Sequence, residues 1–238
     1  MKIFKQSLLA AGLLALAAGP ALAYEPGTFV LRGGVGTVDP KSTNFSITED
    51  FGAGPETVII DVRNSSNMTL TGTYMFNQNW ALDILAAMPF KHDIRATLTT
   101  PIPDSEDFAT ESLKIAETKQ IPPTISLQYH FSPDGDFQPY AGIGFNWTSF
   151  SSTKFVPELA DLLEEEIDKL IVEDSYGLAA QIGLDWAVGD RVVVNLDVRW
   201  IDIDSDVSVT SPAFSGKEKL FRAEIDPWIY SLNLGYHF

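Results

Sequence analysis

Three histidines and no cysteine limit the chemistry this chain could do. His92, His130 and His237 are the side chains able to hold a metal or move a proton near neutral pH. None of them begins an HxH, HxxxH or HxxE spacing, so no metal site is expected. Covalent catalysis would need a nucleophile beside a base. Ser105 and Ser112 could approach His92 from the following loop, but no recognised motif surrounds either. The expectation is a protein that is not an enzyme and uses no cofactor.

A second set of polar residues has a more informative spacing. Arg32, Asp83, Lys91, Asp185, Asp197 and Arg199 each fall between large apolar residues that recur at every second position. His130, Gln181, Asn195, Asn233 and His237 do the same. On a strand, such residues share the face opposite the apolar row. Three cations would then meet three anions inside a closed structure, where unpaired charge is costly. The expected chemistry is a mutually paired charge network. It would hold a lumen shut and stop direct passage.

Eight stretches of period 2 could carry those faces. They lie near Thr28 to Val38, Asn67 to Phe76, Trp80 to Ile94, Ile121 to Phe131, Gln138 to Phe150, Ser175 to Val188, Val192 to Trp200 and Trp228 to Phe238. In the third, Trp80, Leu82, Ile84, Ala86, Met88 and Phe90 share one face. Connections after the even stretches are short, and those after the odd ones are long. An even strand number, short turns at one end and long loops at the other are the signature of a transmembrane β-barrel. A soluble sandwich or lipocalin-type barrel shares the period but wets the face opposite its apolar row. Here that face carries Gly, Thr, Ser, Asn and Gln, which suits a narrow polar lumen. Aromatics near the strand ends suit interfacial girdles. The fold expected is an all-β, eight-stranded antiparallel barrel, residues 24–238.

The N-terminus agrees. Lys2 and Lys5 precede an apolar run from about Leu8 to Ala18, and Ala21-Leu22-Ala23 has the small-x-small pattern of a cleavage site. Residues 1–23 read as a secretory signal peptide, too short to be an anchor. The net charge of −16 makes nucleic acid an improbable partner, because phosphate binding needs clustered cations. The acidic residues are expected mainly in solvated loops. Some could bridge divalent cations to lipopolysaccharide.

Three local features bear on function. "VPELADLLEEEIDKLIVED" places Leu159, Leu162, Leu163, Ile167, Leu170 and Ile171 at near-helical spacing, with Pro157 suited to a helix start. This predicts a short amphipathic helix in the third long loop. With Phe45 and Phe51 of the first long loop, its apolar face could form a vestibule for greasy molecules, or simply cap the mouth. Pro122 and Pro123 open the clean part of the fourth stretch, near Pro89 of the third. Proline cannot donate to a ladder, so a gap in the wall and a simple bulge are both open readings. Finally, "SLQYHF" and "LNLGYHF" share an ending. Both strands would run toward the periplasm and place Phe131 and Phe238 at that interface.

Four segments carry a family resemblance. "VLRGGVGTVDPKS", "IPPTISLQYHF", "QPYAGIGFNWTSF" and the terminal "GYHF" together resemble the OmpW family of outer-membrane proteins, which includes an alkane-import protein. The resemblance implies an eight-stranded barrel in the outer membrane of a Gram-negative bacterium. It implies uptake of small hydrophobic solutes that enter outside and leave sideways through the wall. It also implies that Phe238 belongs to the signal read by the barrel-assembly machinery. The competing role is non-transport: a phage or colicin receptor, an adhesin or an envelope stabiliser.

Overall fold

The computed structural model describes residues 23–41, 45–50, 55–101, 108–157, 169–210 and 216–238. Its strands are β1 (Phe29–Asp39), β2 (Phe45–Asp50), β3 (Pro55–Val62), β4 (Ser65–Met75), β5 (Trp80–Ala87), β6 (Phe90–Pro101), β7 (Phe108–Ile121) and β8 (Thr124–His130). They continue as β9 (Phe137–Phe155), β10 (Lys169–Val172), β11 (Ser175–Ala187), β12 (Val192–Ile201), β13 (Asp204–Thr210), β14 (Lys217–Glu224) and β15 (Trp228–His237).

Eight of these close into an antiparallel barrel in the order β1, β4, β5, β8, β9, β11, β12, β15. Closure is made where β15 returns to β1, with Val35 opposite Leu232 and Val30 opposite His237. A closed ladder leaves no edge, and this is what lets strands cross a hydrocarbon layer that offers no hydrogen bonds. Side chains follow the pleat. In β15, Trp228, Tyr230, Leu232, Leu234 and Tyr236 point outward, while Ile229, Ser231, Asn233 and His237 are buried. Ile143 of β9 is 73% exposed and Leu178 of β11 is 67% exposed. In water such a surface would be an aggregation hazard; in a bilayer it is the solvated face.

Aromatic pairs gather at both rims. At the short-turn end Trp80 packs on Tyr129, Tyr129 on Phe131, and Tyr236 on Phe238, with ring centroids 5.0, 5.2 and 4.9 Å apart. Toward the long-loop end Trp147 stacks on Tyr176 at 6.2 Å. Phe131 and Phe238 are both exposed at the short-turn end.

The long connections are largely strand. β2, β3, β6 and β7 continue the sheet beyond the barrel, and β7 pairs with the far half of β9, as Ile121 with Ser149. β10, β13 and β14 form a second, three-stranded extension. Leu170 and Ile171, expected on the helix, lie instead on β10, paired with Val209 and Ser208. A Leu-Ile-Val run fits a pleated surface, and a ready antiparallel partner overrides its helical spacing. The rest of the expected helix, with Leu159, Leu162, Leu163 and Ile167, falls on 158–168, outside the described residues.

The third stretch is two strands. The break at Met88-Pro89 shifts the alternation by one place. A one-residue slip turns every later side chain to the other face. Phe90, expected toward lipid, is fully buried, and Lys91, expected in the lumen, points out and pairs with Glu117 at 2.8 Å.

Candidate functional site

Three layers fill the barrel and its outward extension. The lowest is polar and lies toward the short turns. Arg32 of β1 is met by Asp185 of β11 in a bidentate pair, with Nε 3.1 Å from Oδ1. Its Nη1 donates to Thr73, which in turn donates to Asp83 at 2.6 Å. Arg199 of β12 donates to Asp83 at 3.0 Å and lies 3.6 Å from Asp197. All five charged residues are buried, so three carboxylates face two guanidiniums.

Hydroxyls and amides take up the excess. Tyr140 donates to Asp197 at 2.8 Å and accepts from Asn195 at 3.0 Å. Asn195 also donates to Asp185 at 2.8 Å, and Asn233 donates to Asn195 at 2.8 Å. The Tyr140 ring fits because position 183 is glycine: a Cβ there would lie 2.2 Å from the ring. This layer ties seven of the barrel strands together and seals the bore.

Tyr24 closes the lower mouth, a role that periodicity alone did not reveal. It is the residue that the predicted cleavage would leave first. Its backbone N–H donates to the Pro133 carbonyl at 3.0 Å, and its ring is fully buried. The ring stacks on His237 at 5.1 Å and meets His130 edge-on at 4.8 Å. Its hydroxyl donates to Asp185 and accepts from Arg32. The two histidines of the shared Tyr-His-Phe endings therefore clasp one aromatic plug. Tyr24→Phe keeps the stacking but removes a donor to a buried carboxylate. It is expected to lower stability by about 1.5 kcal/mol, read from the unfolding midpoint in detergent.

The middle layer is apolar. Val38, Phe90, Ile201, Ile203 and Ile229 are buried together, with Ala87, Phe150 and Ile225 packed against them. Above it a cavity of about 290 Å³ opens between the two extensions. Its walls include Ile60, Ile94, Phe155, Val172, Val209 and Leu220. This volume is near the lower end of small-molecule sites, and its apolar lining suits a greasy solute. Of the expected vestibule residues, Phe45 lies on β2 in register with Ile60, while Phe51 and the four helix residues lie outside the described residues.

Beside this apolar region the wall loses its ladder. β5 pairs with β8 as far as Leu85 and Thr124, and β6 pairs with β7 from Phe90 and Gln120 outward. Between them Ala86 to Pro89 face Ile121 to Pro123 with no ladder pair among the described residues. The outer neighbours remain bonded. Met88 N–H donates to Met68 at 3.0 Å, and Trp147 N–H donates to Pro123 at 3.1 Å. Asn67 reaches the Pro89 carbonyl at 2.8 Å and Asn146 reaches the Pro123 carbonyl at 3.0 Å. Pro89, Pro122 and Pro123 thus border one seam, and the Pro122 carbonyl, which faces it, accepts from the Thr124 hydroxyl at 3.1 Å. Ala87 and Phe90 of the apolar layer lie along the same seam, and Gln120 lines the cavity just above it.

Two polar residues of the cavity wall were not singled out as a pair by spacing. His92 and Gln120 are both buried and both line the cavity. Burial holds the His92 pKa below the usual imidazole value despite a hydrogen bond to the Arg63 carbonyl. The signal for His92 was available: a proline three residues upstream, where strand parity changes.

Among the described residues, one group of carboxylates has the spacing of a cation site. Asp202, Asp204 and Asp226 bring carboxylate oxygens within 4.8 Å of one another. Asp204 is already paired with Arg222 at 2.7 Å and Asp226 accepts from the Ile203 N–H at 3.3 Å, so the cluster has internal partners.

A model of the OmpW family matches residues 25–238. Outer membrane protein W of Escherichia coli is 29% identical over 98% of this chain and 99% of its own length. Outer membrane protein W of Salmonella typhi is 30% identical over the full length of both. The crystal structure of the outer membrane protein OprG from Pseudomonas aeruginosa superposes with a TM-score of 0.72 at 31% identity, covering 91% of this chain and 98% of that one.

Proposed function

For a chain that belongs to the OmpW family of barrels in the outer membrane of Gram-negative bacteria, we propose passive uptake of small hydrophobic molecules. A solute would enter the apolar cavity between the extensions, rest on the layer of Val38, Phe90 and Ile201, and leave sideways through the seam at Pro89, Pro122 and Pro123. The observation that carries this reading is the coincidence of three things at one level. The bore is sealed by paired charges, an apolar layer lies above the seal with the apolar cavity over it, and the wall lacks its ladder beside that layer. A polar solute gains nothing from such a path, and an apolar one never has to cross Arg32, Asp83, Asp185 and Arg199.

No nucleotide or cofactor is needed, because partition into the membrane drives the movement. Lipid is the immediate partner on leaving, and lipopolysaccharide surrounds the point of entry. Cleavage after Ala23 would free Tyr24 to act as the lower plug, and Phe238 would serve recognition by the barrel-assembly machinery.

The experiment compares cells with and without the protein. Each is given a labelled apolar solute, such as naphthalene, and a polar solute of similar size. Faster entry of the apolar solute alone is the expected result. Equal entry of both, with folded barrel present in the outer membrane, would shift the reading to a receptor or structural role.

A further inference from the structure

Two nitrogens beside the cavity are shielded from water and have no hydrogen-bond partner: Nε2 of His92 and Nε2 of Gln120. Their chemistry is complementary. His92 Nδ1 lies 2.8 Å from the Arg63 carbonyl, which can only accept, so Nδ1 carries the proton. In the neutral ring Nε2 is then an acceptor. The Gln120 amide nitrogen is a donor. Phe90 pairs with Gln120 and His92 with Thr118, so His92 and Gln120 are diagonal neighbours on one buried face. Diagonal positions on paired strands are roughly 7 Å apart, which lets two long side chains converge on one small group.

We propose that the cavity selects apolar molecules bearing a single hydroxyl group over hydrocarbons of the same skeleton. A hydroxyl donates one proton and accepts at its oxygen, and so satisfies His92 and Gln120 together. A hydrocarbon leaves both nitrogens orphaned. A ketone satisfies Gln120 alone. A carboxylate would bring a full charge to a wall built from Ile60, Ile94, Val172 and Val209, and it has no proton for His92. The Thr118 hydroxyl of the wall is already engaged, bonded with the Thr153 hydroxyl at 2.9 Å. Burial keeps the imidazole neutral, in line with an acceptor role. The inference rests on the cavity being the solute site, and it names the class of solute.

The test uses the full protein in lipid nanodiscs with benzyl alcohol and toluene, a pair differing by one hydroxyl. Binding is measured against empty nanodiscs, and the imidazole nitrogens are followed by 15N NMR. The wild type should bind benzyl alcohol about tenfold more tightly, the weight of one buried hydrogen bond that would otherwise stay unmade. Only the alcohol should move the His92 Nε2 resonance. His92→Phe should bring the ratio near one while toluene binding persists, and Gln120→Leu should act in the same direction. Equal binding of the two probes by the wild type, which requires no variant to fold, would overturn hydroxyl selection and leave the cavity as a solute site. Binding of neither probe would overturn both.

Discussion

Arg32→Met is expected to destabilise the barrel by about 3–5 kcal/mol, because it leaves Asp185 buried without its cation. Asp185 keeps Tyr24 and Asn195 as donors, yet neither neutralises it. The measurement is the denaturant midpoint of unfolding in detergent or lipid. The partner variant decides the cause. Asp185→Leu placed on top of Arg32→Met removes the uncompensated charge and should recover much of the loss, since apolar replacement of a whole buried pair is often neutral. If the double variant were no more stable than Arg32→Met, the pair would not be the source of the effect. The same variant probes function. Arg32 also donates to Thr73, which donates to Asp83, so its loss loosens the seal as well as the fold. An ion conductance absent from the wild type should appear in bilayers containing Arg32→Met.

The seal depends on balance as much as on pairing. With Lys91 outside, two guanidiniums serve three carboxylates. Asp197 receives the Tyr140 hydroxyl and the more distant Arg199 Nε. Two tyrosines and two asparagines thus complete a network that the charged residues alone leave unbalanced. Gly183 belongs to this logic although it carries no polar group, because it admits the Tyr140 ring.

How much of this was legible depends on where period 2 runs unbroken. The rows through Leu31, Leu70, Ile182 and Leu232 alternate without interruption, and the face assigned from sequence to Arg32, Asp83, Asp185, Asp197 and Arg199 is the buried one. The alternation misled where a proline interrupted it. Phe90 and Lys91 follow Met88-Pro89, where four residues, Ala86 to Pro89, pass without a ladder partner on the β8 side and the pleat resumes inverted. Pro122-Pro123 did not invert the pattern: Gln120, Pro122 and Thr124 are all buried in turn. Nothing in the prolines themselves separates the two cases. The difference lies in how many residues the facing strand spends across the same gap.

The extensions were harder to read for another reason. β6, β7 and β14 mix apolar with charged residues without a clean period, as in "KEKLFRAE", and charge on a segment predicted as a loop looks like plain solvation. The apolar cavity is a product of those extensions. His92, Gln120, Val209 and Leu220 come together in it only through tertiary pairing. Tyr24 was invisible in a different way: it precedes the first strand and belongs to no periodic row.

The seam gives the largest expected effect on transport. In a strand the N–H and C=O of one residue point to the same side, and successive residues alternate. The Pro123 carbonyl faces β9, where Trp147 N–H meets it. Position 122 therefore faces the other way, across the seam toward Ala86 to Pro89, and it has no N–H to offer. Pro122→Thr would restore one donor along this edge; Pro89 is left in place, because its carbonyl is met by Asn67 of β4 and so faces away from the seam. The bond made there should favour the closed wall by about 0.5–1.5 kcal/mol. A preference of that size lowers the open population by roughly 2–13-fold, and apolar uptake should fall with it. Pro123→Val is the control, because its new N–H points to β9 and leaves the seam unladdered. Stability should rise in Pro122→Thr while uptake falls, an opposition that simple misfolding cannot produce. If apolar uptake were unchanged in a Pro122→Thr protein with measurably higher stability, the solute would not be leaving between these strands, and the missing ladder would be only a bulge.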